Sequence, residues 1–264
     1  MDAFMNQQSP ARGLPEHSYP SQPIASENEG LLSTKIRFEL PAFSLYASGQ
    51  IGREGTERFI DQQFFKSYGA QYSEYMPWLI SMRQQGQLSA CAGVAIAADK
   101  NPLFLERYLP SSIESLVSKN CGMPITRGQI AEVGSLAGSS FGGEHIGSSR
   151  LLYIVLASVL EEIGIEWMVF TATRPLLISL QRLGLKHCLL GDADESFLDD
   201  SERSNWGSYY EHQPRVVAAP LSSASESIRE RTQFAAIREH YANTIADMAS
   251  YLTLSALNVS CSAP

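Results

Sequence analysis

The chain has 264 residues, 44% of them hydrophobic and 18% charged, with a net charge of −8 and a pI near 5.2. This acidity, with no local basic patch, argues against a nucleic-acid binder. The four cysteines (Cys91, Cys121, Cys188 and Cys261) lack Cys-x-x-Cys or Cys/His spacing, which argues against zinc, and a chain of this length needs no disulfide staples.

Residues 1–33 are rich in Pro, Ser, Gln and Asn and poor in large apolar side chains, so they are expected to be a disordered segment that cannot offset its ordering entropy. No apolar h-region of a secretory signal is visible there. "KIRFELPAFSLYA" (35–47) reads as a strand broken at Pro41. In "REGTERFIDQQFFKSYGA" (53–70) Phe59, Ile60, Phe64 and Tyr68 recur at helical steps. "WLISMRQ" (78–84) and "LSACAGVAIA" (88–97) read as antiparallel strands about a short glycine turn.

A less regular insert follows, with "PLFLERYL" (102–109) and then a helix opened by Pro110 and Ser111 and closed by Gly122. "QIAEVGSLA" (129–137) is a strand, "GSSRLLYIVLASVLEEIG" (147–164) a helix and "EWMVFTAT" (166–173) a strand. "RPLLISLQRLG" (174–184) is a helix with Pro in its first turn and Gly at its end, and "LKHCLLG" (185–191) is a strand. After an acidic loop and "WGSYYEHQ" comes a last strand near 214–220, then one long amphipathic helix with a stripe of Ile237, Tyr241, Ile245, Met248 and Leu252. That helix could pair with a second copy as a homodimer or cover its own domain. No apolar run approaches the ~20 residues of a membrane span, so cytoplasmic residence is the expectation.

The element order predicts a mixed α/β (α+β) domain over 34–221 with a βα crossover in its second half, and a helical extension over 222–264. The crossover loop "AGSSFGGEHIGSS" sits between a strand and a helix start, where free main-chain N–H groups and the helix dipole suit phosphate. It contains neither the P-loop nor the dinucleotide fingerprint, and a plain flexible connection is the alternative.

The order of strand, phosphate-type loop, helix and strand, followed by the junction "LQRLGLKHCLL", resembles the GNAT acyltransferases. The blocks "LFLERYL", "AEVGSLA", "WMVFTAT", "LQRLGL" and "WGSYYEHQPRVVA" together resemble the thermostable hemolysin family over roughly residues 55–220. The layout of the insert is similar to that of autoinducer synthases and N-acyl amino acid synthases. The resemblance implies a GNAT-like mixed central sheet flanked by helices. It also implies a bulged strand that pairs with the donor's pantetheine arm, and a helix start that holds its phosphates. No permanently bound cofactor is implied. The donor would be a co-substrate, acyl-CoA or acyl carrier protein, and the acceptor a small amine or amino acid. Three positions depart from the GNAT pattern: Glu144 stands where Gln or Arg is usual, which favours the carrier protein with its single phosphate, Ser149 stands where Gly or Ala is usual, and Leu180 replaces a tyrosine that protonates the departing thiolate.

Attack of an amine on a thioester needs a base, an oxyanion donor and alignment. Glu132, among apolar neighbours, is the candidate base; a structural carboxylate paired with Arg127 or Arg150 is the alternative. The donor-binding candidates are Leu136, Ala137, Gly138, Gly142, Gly143, Gly147, Ser148, Ser149 and Arg150. Tyr209 is the candidate proton donor within "WGSYYEH", with Trp206 and Tyr210 walling a pocket or merely packing a corner. Arg107 is expected to bind an acceptor carboxylate or form a surface ion pair, while Thr171 and Thr173 line the site or cap the next helix. A Gly-x-Ser-x-Gly elbow is absent, so a lipase lacks its nucleophile. An acyltransferase is the expected activity. The rivals are a protein that lyses membranes directly through its last helix, and a GNAT-fold binding module without turnover.

Overall fold

The structure is a computed structural model that describes residues 40–98, 101–138 and 146–261, with backbone alone for 146–149 and 255–261. The expected disordered segment 1–33 lies outside the described residues, as does loop 139–145 with Gly142, Gly143 and Glu144.

Alternating apolar residues form seven strands: β1 (Ala42–Ala47), β2 (Trp78–Gln84), β3 (Gln87–Ile96), β4 (Ile130–Gly138), β5 (Trp167–Ala172), β6 (Cys188–Asp192) and β7 (Arg215–Pro220). They make one mixed sheet in the order β1-β2-β3-β4-β5-β7-β6. The first four strands are antiparallel neighbours, β4 and β5 are parallel, and β7 inserts between β5 and β6, antiparallel to both. The sequence shows a crossover but not this insertion, because pairing between distant strands leaves no local mark.

Helices cover both faces. Helix α1 (Arg53–Tyr68) lays Phe59 and Ile60 against Leu79, Cys91 and Ala137. On the same face, helix α2 (Ile113–Cys121) and the 3₁₀ turn Phe104–Tyr108 pack Leu105, Tyr108, Ile113 and Val117 onto Ile130, Val169, Val216 and Ala218. The opposite face carries the larger core. There helix α3 (Ile146–Glu162) buries an almost continuous apolar surface against Ala131, Met168, Phe170 and Val217. Helix α4 (Arg174–Arg182) joins this core through Leu176, Leu177 and Leu180, so Leu180 serves packing where the GNAT pattern has a tyrosine. The short helix α5 (Asp200–Asn205) lies in the acidic stretch that reads as loop in the sequence, opened by Asp199, whose side chain accepts from the Glu202 N–H.

The expected single C-terminal helix is instead three: α6 (Leu221–Glu230), α7 (Thr232–His240) and α8 (Ala242–Cys261). Neither break contains proline or glycine; both sit where a side chain is tied to the rest of the fold. Arg231 is extended (φ −95°, ψ 109°), donates to the Arg182 carbonyl and stacks on Phe234. Tyr241 donates its hydroxyl to the Pro41 carbonyl at 2.7 Å and meets Phe43 edge-on. The bends let Tyr241, Ile245, Met248 and Leu252 enter the core beside α3, so the apolar stripe covers its own domain.

Two irregularities place the site. First, β4 pairs with β5 only from Ile130 to Glu132. From Val133 onward no strand among the described residues pairs with the β5-facing edge of β4, while β5 continues along β7 to Ala172. The sheet therefore parts between β4 and β5. Second, Cys91 faces Ala137 and Gly93 faces Gly134, so two residues of β4, Ser135 and Leu136, oppose the single Ala92. This is a β-bulge, with Ser135 in the left-handed region at φ 47°.

Candidate functional site

Alternation along β4 puts Ile130, Glu132 and Gly134 on the face covered by α1 and the 3₁₀ turn. Glu132 stands at the last paired position before the strands part. It is 3% exposed, and burial pushes its carboxyl up to about 8, partly offset by the main-chain N–H groups of Phe104 and Leu105. Its Oε2 has no hydrogen-bond partner among the described residues. Two residues beyond the Val169 partner, on the same face of β5, the buried Thr171 Oγ1 is also unpartnered. Of the seven buried and unpartnered side-chain atoms among the described residues, these two lie beside the same gap, where a polar group fits.

The 3₁₀ turn that contacts Glu132 is itself anchored. Glu106 is gripped through both oxygens by Arg127 at 2.8 Å, and it accepts the N–H groups of Leu103 and Ile113. The Arg127 guanidinium holds the Glu106 carboxyl down near 2. Arg127 also reaches Glu114 at 2.8 Å. Arg150 rests its guanidinium over Phe234, 5.6 Å from the ring centre, with its Nε buried and unpartnered. Neither arginine pairs with Glu132 among the described residues, so the expected structural alternative for that carboxylate does not hold.

Around the gap lies a continuous aromatic wall. Phe64, Tyr68, Tyr72, Tyr75, Phe104, Trp206, Tyr209 and Tyr210 are joined by ring contacts with centres 4.5–6.2 Å apart. Gly207 makes this possible: a Cβ there would sit 2.2 Å from the Tyr68 carbonyl oxygen, so only glycine lets the Trp206 segment close on α1. Tyr72 reaches Ser135 Oγ at 3.0 Å, tying the wall to the bulge, and Tyr108 meets Tyr210 hydroxyl to hydroxyl at 2.6 Å. Burial raises all four tyrosines nearest this region, Tyr108 to about 12 and Tyr72, Tyr209 and Tyr210 further, so they stay neutral hydrogen-bonding groups.

Of the residues singled out in the sequence, Glu132 stands at the last paired position of β4 and Thr171 two residues beyond its Val169 partner, on the same face of β5. Leu136, Ala137 and Gly138 lie on the open edge of β4. Gly147, Ser148 and Ser149 occupy the first turn of α3, which follows from that edge. Trp206, Tyr209 and Tyr210 belong to the aromatic wall. Arg107 already has protein partners, Glu202 at 3.0 Å and the face of Phe104 at 4.1 Å, which is the ion-pair alternative rather than a free clamp. Thr173 is the N-cap residue of α4, without a side-chain cap bond. Tyr209 packs against Tyr68, Trp206 and Tyr210, whereas the tyrosines within electrostatic reach of Glu132 are Tyr72 and Tyr108. Sequence reasoning did not single out Tyr72, Tyr108 or Ser135. The signal available was the repeated tyrosine in "SYGAQYSEY" and a serine inside an otherwise apolar strand.

A search of curated proteins by sequence finds no match. Among solved structures, the chain is similar to the AHL synthase LasI (12% identity, 69% of this chain and 90% of that one, TM-score 0.46). It is also similar to FeeM, an N-acyl amino acid synthase from uncultured soil microbes (11%, 73% and 95%, TM-score 0.47). A third is MesI, a CoA-dependent acyl-homoserine lactone synthase (11%, 76% and 95%, TM-score 0.41). The family model described as thermostable hemolysin matches residues 46–225, from the end of β1 through the start of α6. With most of its length matched, the chain belongs to the thermostable hemolysin family.

Proposed function

We propose that the chain is an N-acyltransferase that moves an acyl group from a pantetheine thioester to a small amine. The observation that carries this reading is the parted β4/β5 edge, with Glu132 Oε2 and Thr171 Oγ1 unpartnered beside it. In this reading the pantetheine arm lies along the open edge of β4 and completes the hydrogen bonds that β5 leaves unmade. The main-chain N–H groups among Leu136 to Gly138 that point away from β3 face the thioester carbonyl oxygen. The acceptor nitrogen sits between Glu132 and Thr171.

The nitrogen attacks the carbonyl carbon, and the carbonyl oxygen takes the negative charge against the main-chain N–H groups. Glu132 takes the proton that the nitrogen loses. The C–S bond then breaks, the amide forms, and the thiolate leaves with a proton supplied by solvent. Thiolates leave readily, so the absence of a tyrosine at position 180 is tolerated. Tyr72 and Tyr108, rather than Tyr209, are placed to orient the reacting groups. The first turn of α3, with Gly147, Ser148, Ser149 and Arg150, offers its N–H groups to the donor's phosphate.

The donor is acyl-CoA or acyl carrier protein, which would place the reaction in the cytoplasm. Among the described residues no helix is long and apolar enough to cross a membrane. Lysis then arises from an N-acyl product acting as a surfactant. The test is release of free thiol on mixing protein, a long-chain acyl donor of either kind and a panel of amines. Thr171→Val should lower kcat by about 10-fold and Glu132→Gln by about 100-fold or more. A lipid extract of the reaction should lyse red cells, and delipidated protein should not. Lysis that stays with delipidated protein overturns the product route.

A further inference from the structure

Beside Tyr72, a cavity of about 460 Å³ opens at the surface. It is lined by Asp61, Gln62 and Phe65 of α1, by Gln71, Tyr72 and Ser73 of the following loop, and by Asn205 at the end of α5. The lining is built, not incidental. The Gln71 N–H donates to the Asn205 carbonyl at 2.7 Å, and Ser208 donates through both its N–H and its hydroxyl to the Tyr68 carbonyl. The Tyr75 hydroxyl donates to Asp61 at 2.5 Å and fixes that carboxylate. Phe65, 64% exposed, contributes an aromatic ring to the lining.

The chemistry of the lining is one-sided. It offers one carboxylate, two aromatic rings, two glutamines, an asparagine and a serine, with no lysine or arginine. Glu74 adds negative charge near Tyr72, and Glu57 near Tyr75. Arg53 is neutralised by Glu57 and Arg107 by Glu202, while Arg58 and Lys66 of α1 lie outside the lining. A carboxylate with ring faces and neutral hydrogen-bonding groups suits an organic ammonium, through ion pairing and cation–π attraction. The lining itself offers a ligand carboxylate no cation.

We propose that this cavity is the acceptor's docking site, and that the acceptor is a cationic amine without a carboxylate, a polyamine or amino alcohol rather than an α-amino acid. The assignment rests on the acyltransferase reading. Tyr72 connects the two places: it lines the cavity, its hydroxyl meets Ser135 Oγ in the bulge, and it lies within electrostatic reach of Glu132. The amine docks at Asp61 and passes Tyr72 to the gap.

The experiment is calorimetric titration of the full chain with spermidine and with ethanolamine, against glycine and leucine, followed by the thiol-release assay with the same four compounds. The amines should bind and react at least tenfold better than the amino acids. Asp61→Asn keeps an oxygen for the Tyr75 hydroxyl, and Ser73→Lys adds a cation at an exposed position. Each should weaken amine binding and raise KM about tenfold with kcat within threefold and the melting temperature unchanged. Amino acids that bind or react as well as the amines, or affinity indifferent to both substitutions, overturn the proposal while leaving acyl transfer intact. Amine binding lost in Asp61→Asn, with no thiol released from any donor, upholds the cationic site and overturns the acyltransferase reading instead.

Discussion

At the scale of single residues the account turns on Glu132, a buried carboxyl with an unsatisfied oxygen. A carboxylate that titrates near 8 matches a base working close to neutral pH. It must be ionised to accept a proton, so single-turnover acyl transfer should rise through about pH 8. Glu132→Gln should remove that limb along with most of the rate. The same shift has a cost in stability. The unfolded carboxyl ionises near ~4.3, while the folded one holds its proton to about 8, so between these values the native state binds more protons and stability falls as pH rises. Glu132→Gln should therefore melt higher than the parent at pH 8 and close to it at pH 4.5, a difference that thermal melts read directly. Equal melting differences at both values would show that the carboxyl is not perturbed. Glu132 was legible in the sequence because one acid in an apolar strand stands out. Its freedom from Arg127 was not, since the Arg127 partners Glu106 and Glu114 lie 21 and 13 residues away, a choice that tertiary packing makes.

At the scale of elements, the bulge and the 3₁₀ turn shape the gap. Ser135 holds a left-handed backbone that glycine would adopt freely, and its side chain earns the position by bonding Tyr72. Ser135→Gly and Ser135→Val both lose that bond, but only valine meets the backbone strain. Denaturant unfolding should show the valine variant about 1–3 kcal/mol less stable than the glycine variant. Equal stabilities would mean that the bulge relaxes. Removing Arg127 should cost about 3 kcal/mol, because it leaves Glu106 half-buried without its partner. With the turn loosened, the Phe104 and Leu105 N–H groups no longer favour ionised Glu132, so the rate limb should move above pH 8. A limb that stays in place would separate the turn from the base. The strands and α1 to α4 follow the alternation and capping in the sequence, down to Pro175 in the first turn of α4. The breaks at Arg231 and Tyr241 do not, because each is made by a contact with a distant carbonyl, Arg182 or Pro41.

At the scale of the molecule, one sheet carries two unequal cores. The larger, on the α3 side, includes the last helix, and the smaller, on the α1 and α2 side, holds the site. Leu252 of α8 is fully buried in the larger core, so Leu252→Ala should destabilise the whole domain by about 2–5 kcal/mol in a single cooperative transition. A loss confined to α8 would mark it as an appendage. The division of labour leaves the parted edge of β4 free, since nothing in the larger core depends on pairing there. Hydrogen–deuterium exchange of the β5-facing main-chain amides between Val133 and Gly138, with and without a long-chain acyl-pantetheine thioester, tests that edge most directly. The account predicts that the donor slows exchange at these amides and leaves the paired stretch Ile130 to Glu132 unchanged. Exchange at the β5-facing amides that is already slow in the free protein, or that ignores every thioester offered, contradicts it.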